Sequence, residues 1–261
     1  MSAAQGRPKQ AHPPRGAGAV PRDRGADMSV DLIELQSATV RFGSKVALTD
    51  VNLRVARGDR IALVGANGAG KSTLLRAAHG LVPLATGRRV VGSSHAPRIA
   101  MVFQRPFMLQ LSLRANIELG LMLLGVPRAA RREQAMRSLE RVGLAAEALR
   151  NARVLSAGQQ QRAALARAWA LQPDVLLLDE PTASLDPTAK REVETLIGEF
   201  VSQGITVMMS SHNLGQVKRL ASRVVYLEHG RVLADVPTER FFNGPLPTEA
   251  DLFLKGELPW T

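Results

Sequence analysis

The sequence predicts an α/β fold: a mostly parallel sheet, an antiparallel β layer ahead of it, and a helical subdomain inserted into its middle. Three observations carry that expectation. Apolar residues recur with period two near the start of the chain, and short apolar runs then alternate with helical stretches, which is the order a parallel sheet requires. After an arginine-rich stretch of helical character comes the continuous apolar run Val175 to Leu178, expected of a central strand covered on both faces.

Taken in order, residues 1–28 are rich in Pro, Gly, Ala and Arg and offer little to bury, so a disordered basic tail is expected there. It lacks the apolar stretch of a secretory signal, and Met28 could serve as a start. Ile33, Leu35, Ala38, Val40 and Phe42 keep strand period, and Val51, Leu53 and Val55 repeat it before Gly58 and Asp59; these form the antiparallel layer. Ile61 to Val64 reads as a strand, Ser72 to Ala78 as a helix, and Ile99 to Phe103 as a strand. Arg114 to Arg150 is helical, with Leu119, Met122, Leu123, Met136, Leu139 and Val142 spaced among arginines, and the insertion is expected to span 105–165. Val175 to Leu178, Ile205 to Met209 and Val224 to Leu227 then resume the parallel sheet. The expected organisation is a main domain over 29–240 and a short C-terminal extension over 241–261, with no internal repeat.

Composition excludes several classes. With 261 residues, 45% hydrophobic and 22% charged, the chain is neither a stapled mini-scaffold nor wholly disordered. Its longest uncharged stretch, Phe200 to Val217, is interrupted by Ser202, Gln203, Gly204, Ser210, Ser211, His212 and Asn213, so it does not span a bilayer. The absence of cysteine removes disulfides, zinc–cysteine sites and thiol nucleophiles together. A net charge of +11 suits an anionic partner, whether nucleotide, nucleic acid or lipid. The excess is uneven: Lys71 to Arg105 carries six basic residues and no acidic one, whereas Asp174 to Glu199 carries seven acidic and two basic.

Gly65-Ala66-Asn67-Gly68-Ala69-Gly70-Lys71-Ser72 decides among those anions, because it fits G-x-x-x-x-G-K-[ST] between a predicted strand and a predicted helix. Glycines let the backbone curl so that successive N–H groups face phosphate oxygens, and the following helix adds its positive end. Lys71 can reach the β and γ phosphates, and Ser72 can offer a hydroxyl to Mg2+. A phosphate-loop NTPase core also needs a carboxylate near that ion. Asp179, at the end of the buried run, fills that role, and the adjacent Glu180 can accept a proton from an attacking water.

Three more segments discriminate among phosphate-loop families, and over residues 30–235 the chain resembles the ATP-binding-cassette (ABC) ATPases. Leu155-Ser156-Ala157-Gly158-Gln159 is similar to that family's signature, usually Leu-Ser-Gly-Gly-Gln; Gln104 resembles its Q-loop, Ala183-Ser184-Leu185-Asp186 its D-loop, and His212 its switch histidine. Phe42 resembles the aromatic that stacks on adenine. Read singly, Gln104 could be a loop amide, His212 a strand cap and Phe42 a core aromatic; their joint order carries the resemblance. It implies catalysis by Glu180 and His212 with Gln104, and a magnesium site at Ser72, Gln104 and Asp179. ATP would be held by Phe42, Gly65, Asn67, Gly68, Gly70, Lys71, Ser72 and Thr73, and by Ser156, Gly158, Gln159 and Asp186. It also implies a dimer, in which Ser156 and the Gly158 amide meet the nucleotide held by a second copy. Two departures stand out. Ala157 replaces the usual first glycine of the signature and requires a negative φ, and Asn213 replaces a common aspartate.

The resemblance further implies a peripheral ATPase subunit on the cytoplasmic face of a bacterial inner membrane. Its partners would be integral membrane permease subunits docking around Gln104 to Leu124, where the apolar side chains of Arg105 to Leu109 suit either such docking or a helical core, and indirectly a solute-binding protein, but no nucleic acid. Only residues 73–154 separate phosphate loop and signature, too few for the coiled coils of chromosome-maintenance relatives, and a single phosphate loop departs from the two cassettes of translation-associated ones. The segments Phe103 to Pro106, His212 to Gln216 and Phe253 to Trp260 resemble importers of tungstate-type oxyanions. Import of molybdate, phosphate or an amino acid, or a regulatory role without transport, are the alternatives.

Overall fold

Strands β1 (Asp31–Phe42) and β2 (Lys45–Ala56) fold back on each other around Gly43, whose φ of 60° lets the turn close, and β4 (Thr86–Val91) joins the other edge of β1 to complete an antiparallel sheet in the order β2-β1-β4. This computed structural model describes residues 31–92 and 96–257. The tail expected at 1–28 and the end of the Phe253 to Trp260 segment lie outside them.

The second sheet has six strands: β3 (Arg60–Val64), β5 (Ile99–Val102), β6 (Val175–Asp179), β7 (Thr206–Ser210), β8 (Arg223–Glu228) and β9 (Arg231–Pro237), ordered β5-β6-β7-β3-β8-β9. All its pairings are parallel except β8 with β9. The continuous apolar run in β6 serves two cores at once, because successive side chains point to opposite faces. Leu176 and Leu178 join Ala62, Val64, Val207, Met209, Val224 and Tyr226 on one face. Val175 and Leu177 join Ile61, Leu63, Met208, Val225 and Leu227 on the other, against the antiparallel sheet and α1 (Lys71–His79).

The first face is covered by α2 (Leu113–Leu123), α3 (Arg128–Arg141), α4 (Ala157–Ala170) and α5 (Pro187–Ser202), followed by α6 (Leu214–Leu220), α7 (Thr238–Asn243) and α8 (Thr248–Glu257). Ser112 caps α2 by accepting from the Ala115 amide at 3.2 Å. Buried Asn116 donates to the Leu109, Leu111 and Ser112 carbonyls, tying the segment before α2 to that helix. Arg141 stacks over Trp169 at 3.5 Å and pairs with Glu199 at 2.9 Å, which joins α3 to α4 and α5.

The stretch 114–150 is built of α2 and α3, parted at Leu124–Pro127, and α4 runs through position 165 with its Ala163 to Ala166 packed in the main core. Of the apolar side chains in Arg105 to Leu109, Met108 is buried in that core, while Phe107 is 72% exposed. In the described part of 241–261 Phe241, Ala250 and Leu254 are buried, Phe253 lies 5.4 Å from the Tyr226 ring, and Tyr226 donates to the Glu249 carbonyl at 3.2 Å. Burial pushes the Tyr226 phenol up to about 12.

Candidate functional site

Strand β3 delivers the phosphate loop, and three glycines let it take its shape. Gly65, Gly68 and Gly70 have φ of 141°, 82° and 110°. A Cβ on Gly65 would meet the Leu227 carbonyl oxygen at 2.1 Å, and one on Gly70 the Ala47 oxygen at 2.9 Å. The turn between β8 and β9 stitches the loop to the antiparallel sheet: the Gly230 amide donates to Ala69 at 2.9 Å, and the Thr49 amide to the Gly230 carbonyl at 2.8 Å. Lys71 opens α1, and its buried ammonium donates to the Gly65 carbonyl at 2.6 Å and the Ala66 carbonyl at 3.1 Å.

The neighbouring parallel strands bring the acids to the same end of the sheet, where ligands of such folds sit. In the β6·β7 register Asp179 lies opposite Ser210. Asp179 is only 3% exposed, and its Oδ1 accepts from Ser72 Oγ at 2.8 Å and from Ser210 Oγ at 2.9 Å. Ser210 Oγ in turn accepts from the Glu180 amide at 2.9 Å, holding Glu180 at a φ of 49° that few non-glycine residues adopt. The Glu180 carboxylate meets His212 Nδ1 at 2.6 Å.

A cleft of about 930 Å³ runs over these groups. Of the residues expected to bind nucleotide or act on it, it brings together Phe42, Gly65, Asn67, Gly68, Gly70, Lys71, Ser72, Thr73, Gln104, Glu180 and His212, and Asp179 stands directly behind Ser72. Phe42, 49% exposed at the end of β1, lines the cleft with Lys45 and Val46. The Ser72 hydroxyl and the buried Asp179 carboxylate form an oxygen-only donor pair beside a helix start, with Gln104 on the same cleft; that chemistry fits a magnesium ion.

Ser156, Gly158, Gln159 and Asp186 do not line the cleft. They stand at two helix starts. Ser156 caps α4 in a reciprocal box with Gln159, each side chain taking the other's backbone amide. Ala157 opens α4 on the exposed surface without a positive φ, which meets the backbone condition set for it. Gly158 has a packing reason of its own: a Cβ there would lie 2.9 Å from the Ala189 Cβ of α5. Asp186 caps α5, accepting from the Thr188 and Ala189 amides at 2.9 and 3.0 Å. The Ala189 amide, with that of Thr188, holds its carboxyl below the usual aspartate range.

Sequence reasoning missed Ser210, Lys45, Val46, Ala47 and the cleft-facing role of His229 and Gly230. Ser210 had a usable signal, since it directly follows the apolar run of β7 at the height where Asp179 follows that of β6.

The chain is similar to proteins of known family. Residues 48–183 match the family described as ABC transporter. The glutamate/aspartate import ATP-binding protein GltL of Escherichia coli (strain K12) is 35% identical over 236 residues, covering 85% of this chain and 98% of that protein. The glutamine transport ATP-binding protein GlnQ of Geobacillus stearothermophilus is 35% identical over 227 residues, covering 82% and 93%. Among solved structures, the ATP-binding cassette MJ0796, in a dimeric post-hydrolysis state bound to ADP and Pi, superposes with a TM-score of 0.70 at 27% identity, covering 79% of this chain and 99% of that one.

Proposed function

The chain belongs to the ABC transporter family, and from that premise we propose that it is the ATP-hydrolysing subunit of a membrane importer, acting as a pair of copies that close on ATP. Hydrolysis of ATP is the family's activity and this chain's. The observation that carries the reading is the meeting of three strand ends in one cleft: β3 with the phosphate loop, β6 with Asp179 and Glu180, and β7 with His212.

In this reading the loop amides and the start of α1 cradle the phosphates, and the Lys71 ammonium, now on the Gly65 and Ala66 carbonyls, turns to them. The residues that would hold magnesium are Ser72, Asp179 and Gln104. When bound, the ion neutralises phosphate charge. Glu180, oriented by its contact with His212 and by its amide on Ser210, takes the proton of the attacking water, and His212 holds the γ-phosphate. Phe42 stacks on the base. Ser156, Gly158, Gln159 and Asp186 serve the nucleotide of the second copy; their position on helix starts outside the cleft, and the dimeric relative, support that assignment.

Among the described residues no helix is long and apolar enough to cross a membrane. The exposed Phe107, Met122, Leu123 and Leu124 offer an apolar surface for permease subunits, which would place the chain on the cytoplasmic face of a bacterial inner membrane. The cargo is set elsewhere, by the permease and a solute-binding protein. The relatives named above handle glutamate, aspartate or glutamine, and methionine import proteins are equally identical to this chain, which favours an amino acid over the oxyanion suggested by short segments of the chain. Uptake of labelled glutamate, glutamine, methionine and tungstate in a strain lacking this chain decides among them: loss of amino-acid uptake alone supports the reading, loss of tungstate uptake alone restores the oxyanion, and undiminished uptake of all four removes both cargoes.

A further inference from the structure

We propose that Gln216 is a positioning residue for hydrolysis, a buried amide that sets how far the loop carrying His212 stands from the loop carrying Glu180. The inference rests on the roles given above to those two residues.

Gln216 sits in α6 and is fully buried. Its Oε1 accepts from Ser211 Oγ at 2.8 Å, and its Nε2 donates to Thr182 Oγ1 at 3.0 Å and to Glu194 Oε1 at 3.3 Å. Its own backbone amide donates to Asn213 Oδ1 at 2.9 Å, while the Asn213 amide donates to Ser211 Oγ at 3.0 Å. Ser211, just before His212, is thus fastened to the Gln216 side chain, Asn213, just after it, is tied to Ser211 and to the Gln216 backbone amide, and the Gln216 side chain is also fastened to the residue two places after Glu180.

The amide's orientation is not free. Glu194, held by Arg219 at 2.8 Å, is an acceptor only, so the nitrogen must face it and the oxygen is left for Ser211. A carboxylate on α5 therefore dictates which way the link between the two loops is polarised. An apolar side chain would fill the same space without the cost of burying an amide, so the amide's presence is explained by what it joins.

The visible contact between the two loops, His212 Nδ1 on Glu180, does not suffice to hold them. The His212 side chain is 61% exposed, and a single contact to a side chain so open to water contributes little to holding two loops. The spacing is set from behind, by Gln216 on one side of Glu180 and by Ser210 on the other.

The test uses the full chain, with ATP binding and hydrolysis measured separately. Gln216→Leu should lower kcat about 10- to 100-fold while the Kd for ATP stays within about twofold, because misplacement costs turnover and the phosphate loop is untouched. Thr182→Val, which cuts the same link from the opposite loop, should give the same split. Gln216→Glu should be slow, with its carboxylate against Glu194, and adding Glu194→Gln should restore turnover by exchanging amide and acid. Wild-type kcat in Gln216→Leu overturns the proposal, as does a joint loss of turnover, affinity and melting temperature that Thr182→Val does not reproduce and the exchange does not rescue. Glu180→Gln, run in parallel, separates the two layers: normal hydrolysis there removes the base assignment itself, whereas a dead Glu180→Gln beside a normal Gln216→Leu removes only the role of Gln216.

Discussion

Gly65→Ala should unseat the phosphate loop from the sheet, and Gly68→Ala, three residues on, should do so far less. At Gly65 the added Cβ lies 2.1 Å from the Leu227 carbonyl oxygen and 3.1 Å from its carbon, where separations under 3.0 Å are essentially never seen. Loop or strand must then yield by roughly 1 Å in the middle of a sheet, an overpacking cost of about 1–3 kcal/mol. The φ of 141° adds about 1–3 kcal/mol for a residue with a side chain. The sum, about 2–6 kcal/mol, is a large share of the roughly 5–15 kcal/mol that holds a typical domain folded. At Gly68 nothing lies within 4 Å of the added atom, so only the φ of 82° counts, about 1–2 kcal/mol. With about 2–4 °C of melting temperature per kcal/mol at this size, Gly65→Ala should melt several degrees below Gly68→Ala without nucleotide. The assay is thermal unfolding of both variants and the wild type, followed by an ATP titration. A Gly65→Ala protein that melts at or above Gly68→Ala and binds ATP like the wild type would refute the packing argument.

Glu180→Gln should keep ATP binding, lose hydrolysis by about 10²- to 10⁴-fold and accumulate closed dimers on sizing columns; normal turnover sinks the base assignment. Lys71→Ala should weaken ATP binding by about tenfold or more, since it removes a charge-assisted donor to phosphate, and an unchanged affinity by calorimetry would contradict the cradle. Asp186 is a pH probe. Its folded pKa lies below the usual 3.8, so its stabilising cap on α5 is present above that value and is lost as pH falls through the lower, folded one. Acid unfolding followed by circular dichroism should therefore be steeper in the wild type than in Asp186→Asn, which still caps but does not titrate; equal slopes would remove the cap from the account.

Much of the site was legible because its chemistry lies in short contiguous strings. Gly65 to Ser72 needs its spacing to curl, and Asp179 with Glu180 needs the apolar run before it to reach the sheet's end, so pattern and function coincide. What stayed hidden depends on which strands become neighbours. Ser210 meets Asp179 and Gln216 meets Thr182 across 31 and 34 residues, and only the parallel register of β6 and β7 brings them together. Strand β4 was missed for another reason: Thr86, Gly87, Arg88 and Arg89 are an edge strand's polar residues, with no apolar alternation to read. Helix α5 did carry a signal, since Val193, Leu196, Ile197 and Phe200 recur at helical spacing and are all buried. The packing of the C-terminal segment was not legible because Phe241, Ala250 and Leu254 are few and widely set, though all three are buried and Phe253 lies against Tyr226.

The absence of clearance between Gly158 and Ala189 makes the beginnings of α4 and α5 a single mechanical corner. Any shift of α4 toward α5 would press on the Ala189 side chain, one turn from the Asp186 cap. The two helix starts therefore have one packed arrangement, and a side chain at Gly158 would force them apart.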